Sequence, residues 1–296
     1  MGRGARDGGR EKTNTPTPRA PRPVPPRVMK ILVIGDIVGR PGRVIIEREV
    51  RRLREERAID LVIANCENAA GGAGITPSIA DELFRVGVDV LTSGNHVWKK
   101  REAFELLKLD PRVIRPANYP DGAPGTGSTI VETLSGEKVG VLNVMGRVFM
   151  EPLDCPFRTA ERELARLKLV TSVIIVDMHA EATSEKVAMG WFLDGKVSCV
   201  FGTHTHIPTA DERILPQGTA FITDVGMTGP YDSVIGRRVD QILQRFLSNL
   251  PTRSEVAERN VQLRGLLVEV NPATGKALAV ERLTRQLEEA VRDTGD

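Results

Sequence analysis

Five short apolar runs, each ending on residues that can hold a cation, constrain this chain more than any other feature. The sharpest is Val197–Phe201, followed at once by Gly202-Thr203-His204-Thr205-His206. The chain has four histidines in all, and two of them stand here one residue apart. On an extended strand, or in the turn leaving one, residues i and i+2 project to the same side, so both imidazoles can face one point. His96 and His179 also stand just past apolar runs. All four rings therefore fall at strand C-termini, where an α/β sheet opens its ligand crevice.

The period of the sequence alternates between strand and helix from Met29 onward. Strands are expected at Lys30–Gly35, Asp60–Ala64 and Val88–Thr92. Between and after them come helices at Arg43–Arg57, opening after Pro41-Gly42, at Pro77–Val86 with Thr76 as N-cap, and near Lys99–Leu107. Arg112–Ser128 reads as a loop, and Thr129–Leu134 with Lys138–Val144 as a hairpin. A helix at Arg158–Leu167 then leads to strands at Ser172–Val176 and Val197–Phe201, with shorter ones around Glu212–Leu215 and Thr219–Thr223. A helix near Arg238–Leu247, a hairpin of Gln262–Val270 with Lys276–Glu281, and a polar C-terminal helix complete the chain. The early alternation predicts an α/β fold with parallel strands flanked by helices. The later hairpins make it layered, with mixed sheets. No internal repeat is present.

Composition narrows the class. A hydrophobic share of 41% with 27% charged residues is that of a globular protein. No uncharged apolar run approaches the ~18 residues a membrane helix needs, so no membrane partner is expected. Residues 1–28 carry seven basic and two acidic residues, leaving the remainder at −3 within a chain of net charge +2. This Pro-, Arg- and Gly-rich segment has too little apolar surface to offset its ordering entropy and is expected to be disordered. Met29 directly precedes the first strand and reads as the native start, with residues 29–296 as a single catalytic domain. Cys66, Cys155 and Cys199 are odd in number and lack paired-ligand spacing, as expected for free thiols in a reducing cytoplasm.

The strand ends deliver Asp36, then Glu67-Asn68, then Asn95-His96, then His179, and finally His204 and His206. Taken singly, each has a plainer reading: Asp36 as a helix cap, Glu67-Asn68 as a polar turn, His179 as a hydrogen-bonded core ring. Together they form a set of carboxylates, amides and imidazoles without thiolate. Such a set suits a pair of cations such as iron, manganese or zinc, with one carboxylate bridging them. Weaker signals are the glycines of Asp36–Gly42, the Gly71–Gly74 run, read as a flexible linker in preference to a lid, and Thr223–Gly229, read as a pocket border or a strand with a turn. Arg40 and Arg115 are candidate phosphate contacts, and Cys66 is expected to face the core.

The spaced block Gly35-Asp36, Glu67-Asn68, Gly94-Asn95-His96, His179 and Gly202-Thr203-His204-Thr205-His206 resembles the calcineurin-like metallophosphoesterases. Within them it is most similar to the bacterial branch of 2′,3′-cyclic-nucleotide 2′-phosphodiesterases. The resemblance runs from Met29 to about Leu283. Val38 stands where the wider superfamily has a histidine, and Glu67 where it has a bridging aspartate; both departures are features of this branch. The resemblance implies a metallophosphoesterase-like fold and a two-metal centre, with iron expected and manganese or zinc as alternatives. Asp36, Asn68 and His206 would ligate one metal, Asn95, His179 and His204 the other, and Glu67 would bridge. Water acidified by the metals would attack phosphorus, and His96 would protonate the leaving oxygen. Cyclic nucleotides would be opened to 3′-nucleotides. A broader phosphoesterase or ribonuclease, and a regulatory nucleotide-binding metalloprotein, remain as alternatives. The acidic body and the aromatic content of 4% speak against RNA. Solvent-facing late strands leave room for a homo-oligomer.

Overall fold

The computed structural model describes residues 1, 2, 4 and 27–287. In chain order the elements are β1 (Met29–Ile34), β2 (Asp36–Ile37), α1 (Gly39–Arg57), β3 (Leu61–Asn65), α2 (Pro77–Arg85), β4 (Val90–Thr92) and α3 (Ala103–Leu109). There follow β5 (Ser128–Glu132), β6 (Lys138–Met145), α4 (Pro156–Leu167), β7 (Ile174–His179), α5 (Thr183–Leu193), β8 (Cys199–Thr203), β9 (Arg213–Ile214) and β10 (Ala220–Ile222). The last are β11 (Met227–Pro230), α6 (Val239–Ser248), β12 (Val261–Val270) and β13 (Ala277–Gln286).

Two mixed sheets pack face to face. In the first, β1 runs parallel to β3 and β3 to β4, while β12 lies antiparallel to both β1 and β13. The start of β12 also pairs with β11, which runs parallel to β2. In the second sheet β6, β7, β8 and β10 are parallel, edged by antiparallel β5 and β9. Successive side chains of a strand alternate between faces, which explains the near-continuous apolar runs: both faces are covered. Ile31 and Val33 of β1 meet Ile175, Phe201 and Ile222 in the core between the sheets. Leu32 and Ile34 point the other way, against Ile45, Ile46, Val50 and Leu53 of α1. On the far side Ile174 and Val176 pack on Leu164 of α4 and Met189 of α5. This is the layered α/β arrangement expected from the sequence.

Differences from expectation have local causes. Helix α1 begins at Gly39, not Arg43, so Pro41 lies in its first turn, where a missing N–H costs no hydrogen bond. Gly39 enters that turn with φ +59°, a value glycine adopts readily. Helix α5, between β7 and β8, was not anticipated. Its buried face consists of Glu185, Lys186, Met189, Gly190 and Leu193, so charges interrupt the apolar period that marks a helix. The need for a crossover between two parallel strands was the available signal. Strand β13 runs to Gln286 and occupies the first residues given to the polar C-terminal helix. The rest of that helix, and most of the segment expected to be disordered (residues 1–28), lie outside the described residues. No described helix is long and apolar enough to cross a membrane.

Phe201 is fully buried between the sheets. Phe201→Ala is expected to lower unfolding free energy by about 3–5 kcal/mol, read from denaturant midpoints at unchanged slope.

Candidate metal centre

The C-terminal ends of parallel strands from both sheets converge on one point. The chain leaves β1 through Gly35, where a Cβ would meet Gly226 O at 1.7 Å, and delivers Asp36, fully buried, at the start of β2. The turns after β3 and β4 bring Glu67-Asn68 and Asn95-His96, β7 ends on His179, and the turn after β8 carries His204 and His206. All eight side chains named from the sequence meet here.

Glu67 is the centre of the cluster. Its Oε2 lies 3.1 Å from His179 Nε2 and accepts the His96 backbone N–H at 3.2 Å. Its Oε1 accepts from Asn68 Nδ2 at 3.1 Å and lies 3.4 Å from His96 Nδ1. His179 Nε2 also lies 3.1 Å from both Asn95 Oδ1 and His204 Nδ1. On the other side His206 Nε2 stands 3.8 Å from Asp36 Oδ1 and 3.1 Å from Asn68 Nδ2. Asn95 and His96, though adjacent, diverge: Asn95 turns to His179, while His96 Nδ1 bonds Asn68 Oδ1 at 2.7 Å.

Three observations fit this set to cations. Potential ligand atoms of Asp36, Glu67 and His206 lie within 4.8 Å of one another, as do those of Glu67, His179 and His204, so Glu67 belongs to both groups. Asp36 Oδ1 is buried without a hydrogen-bond partner, an unfavourable state for a carboxylate oxygen unless a cation satisfies it. A Cβ on Gly94 would fall 2.1 Å from His179 Nε2 and 2.2 Å from Glu67 Oε2, so only glycine lets the backbone pass this close.

The outer nitrogens of the rings show which nitrogens face inward. His179 Nδ1 bonds Thr203 Oγ1 at 2.9 Å, which donates to Asp177 Oδ1 at 2.6 Å. His204 Nε2 lies 3.0 Å from Glu181 Oε2, and His206 Nδ1 donates to the Ile235 carbonyl at 3.0 Å. Each ring thus has an acceptor for one N–H, leaving His179 Nε2, His204 Nδ1 and His206 Nε2 aimed inward. This is the arrangement that fixes the tautomer and orientation of metal-binding histidines. Asn68 differs: it turns its amide nitrogen, not its oxygen, toward Glu67 and His206.

Charge in the cluster is mutually balanced. Burial opposes ionisation of Glu67, but the His179 and His96 rings outweigh it and hold its carboxyl well below the usual carboxylate range. Burial likewise opposes a charged His179, yet Glu67 and Asp36 raise its pKa to about 9. His204 is pushed down to about 3 by burial and by the neighbouring His179 ring. Burial raises Asp36 despite His206 and His179, and lowers His96 despite Glu67.

The YmdB-like protein family matches residues 32–283. The chain belongs to that family. It is 48% identical over 255 residues to the 2′,3′-cyclic-nucleotide 2′-phosphodiesterase of Bacillus subtilis strain 168, covering 86% of this chain and 96% of that protein. Its fold matches a hypothetical protein of Thermus thermophilus at TM-score 0.82 and 41% identity, over 87% of this chain and 99% of that one. It also matches a protein described as a novel phosphatase from Mycoplasma pneumoniae at TM-score 0.83 and 35% identity, over 88% and 94%.

Several weaker expectations about this YmdB-like chain change. Arg115 is no free phosphate contact, because its guanidinium donates to the carbonyls of Pro116, Ala123 and Pro124. Arg40 is exposed on the first turn of α1. The Gly71–Gly74 run is not a loose linker: Gly72 N–H bonds Asn68 O at 3.0 Å, Gly74 N–H bonds Glu67 O, and Arg237 Nη2 clasps Gly72 O at 2.5 Å. Thr223–Gly229 is buried, its first residues beneath the histidine turn with Val225 N–H on Gly202 O at 2.9 Å and its last in β11. Cys66 faces the core as expected. Asp177, Thr203 and Glu181 were not assigned roles from sequence. Asp177 stands two residues before His179 on β7 and so shares its face, which was the available signal.

Two outcomes follow from these geometries. Glu181→Ala is expected to weaken metal retention about 10-fold or more, read by chelator competition, since His204 loses its orienting acceptor. In metal-free protein the raised pKa of His179 contributes stability that is complete below its ordinary value near 6.5 and is lost as pH rises through about 9. Calorimetry at stepped pH should show the unfolding temperature declining across that interval, and the decline should vanish when a cation replaces the proton on Nε2.

Proposed function

We propose that the protein is a metal-dependent phosphodiesterase that opens 2′,3′-cyclic nucleotides to 3′-nucleotides. The observation that carries the reading is Glu67, common to both potential ligand groups, with His96 held beside them and engaged in neither. The Bacillus relative's activity, at 48% identity across nearly all of its length, supplies the substrate class.

Asp36, Asn68 and His206 would hold one cation and Asn95, His179 and His204 the other, with Glu67 between them. Iron fits these oxygen and imidazole donors, with manganese or zinc as alternatives. When bound, two such cations supply Lewis acidity that lowers the pKa of water and offsets charge on the phosphoryl oxygens. Asn68 takes part as a ligand only with its amide turned over, an exchange of two nearly isosteric groups that would bring Oδ1 toward Glu67 and His206.

The chain's own groups do the remaining work. With its amide so turned, Asn68 would donate Nδ2–H to His96 Nδ1, which puts the ring's own proton on Nε2 to serve the substrate. As the water oxygen joins phosphorus and the bond to O2′ breaks, His96 passes its proton to O2′, so the sugar leaves as an alcohol. The side chain of His96 is 31% exposed, against 19% for His204, 10% for His206 and 0% for His179, so it is the ring most open to a substrate. The buried strand ends exclude water from the inner faces of Asp36 and Glu67, where its competition would weaken their hold on charge.

The test compares wild type with His96→Ala on a 2′,3′-cyclic nucleotide, with metal content measured for both. Equal metal content with kcat about 10²–10⁴-fold lower in the variant is expected. No turnover by metal-loaded wild type would refute the assignment, and equal rates would remove His96 from the chemistry.

A further inference from the structure

Thr205 stands between two residues with left-handed backbone, His204 at φ 96° and His206 at φ 66°. Non-glycine residues persist in such a conformation only where the surroundings over-determine it. Here the determinant lies beneath the turn. Asp224 Oδ2 accepts from Thr205 Oγ1 at 2.7 Å and from the Thr205 N–H at 3.3 Å, while Asp224 Oδ1 accepts the Gly226 N–H at 2.8 Å. The same Oδ2 receives Lys186 Nζ at 2.6 Å. Lys186 and Asp224 are each 1% exposed, and Lys186 comes from α5, the crossover between the strand ending on His179 and the strand leading to His204.

A buried lysine–aspartate pair is a costly way to hold a surface turn, because both charges lose their hydration. In return it provides charge-assisted hydrogen bonding to Thr205, stronger than a neutral acceptor would give. Lys186 also keeps the pair neutral overall, so that Asp224 does not add a third net anion below Asp36 and Glu67. Packing leaves the turn little freedom to relax, since a Cβ on Gly202 would fall 1.7 Å from Thr223 O and 3.0 Å from Lys186 Cδ.

We infer that Lys186 and Asp224 are a positioning pair: together they pin Thr205, and through it the strained turn that aims His204 into one ligand group and His206 into the other. This rests on the two-cation reading of the site. Neither residue touches a reacting atom; both act through Thr205.

The test uses metal-free full-length protein reloaded with Co(II), which reports ligand geometry through its visible absorption. Wild type, Lys186→Met and Thr205→Val are compared for Co(II) affinity by chelator competition, for the Co(II) spectrum, and for thermal unfolding without metal. The expected result is Co(II) binding about 10–100-fold weaker with an altered spectrum in Lys186→Met, and a smaller change of the same kind in Thr205→Val. If Lys186→Met does not fold, Thr205→Val decides, because it keeps both buried charges and removes only the hydroxyl. A folded variant that unfolds at lower temperature yet binds Co(II) with wild-type affinity and spectrum would overturn the inference, the pair then serving only stability. Failure of wild type to take up Co(II) would instead overturn the two-cation reading, and this inference with it.

Discussion

Two carboxylates removed from water govern this structure. Asp36 and Glu67 sit at the ends of neighbouring strands with essentially no exposure, and such groups stay ionised only beside positive charge. The His179 ring answers part of that need, at 3.1 Å from Glu67, and its raised pKa is the consequence. Asp36 has less, with one oxygen lacking any hydrogen-bond partner. The site is therefore organised to receive cations. The strand order, the glycines at Gly35 and Gly94, and the hydrogen bonds behind each ring all serve that concentration of buried charge.

Support for the site is layered, and its layers come from different parts of the chain. Each ring has its own type of acceptor: Thr203 backed by Asp177 for His179, the half-exposed Glu181 for His204, and the Ile235 carbonyl for His206. Beneath them the Lys186–Asp224 pair holds Thr205. Backbone strain at His204 and His206 is confined to one turn, whose His204 and Thr205 N–H groups donate to Asp36 and Asp224 and whose His206 carbonyl accepts from Met227 of β11. A packed, hydrogen-bonded surround of this kind lets two unfavourable conformations persist side by side.

Much of this was legible beforehand because it is local. Apolar runs covered on both faces announce themselves by length and composition, so most strands were placed within two or three residues. Helix α5 was missed for an equally local reason. Its inward face uses Glu185 to hold the Arg147 and Val148 amides and Lys186 to meet Asp224, so charge interrupts the apolar stripe. The same two residues that hid the helix connect it to the turn after β6 and to Asp224 beneath the histidine turn.

The sequence by itself determined which residue types stand at the strand ends, because a strand's direction and the polarity of the turn after it are properties of adjacent residues. It thereby named the eight side chains of the site and the layered α/β class. Only the tertiary structure decided which nitrogen of each ring points inward, that Asn68 presents its nitrogen, that Arg115 is already engaged, and that Lys186 reaches Asp224. The partners of Arg115 lie within nine residues, in an irregular loop whose path no periodicity signals. The other facts depend on contacts between segments tens to hundreds of residues apart, and no local pattern encodes the distance between them.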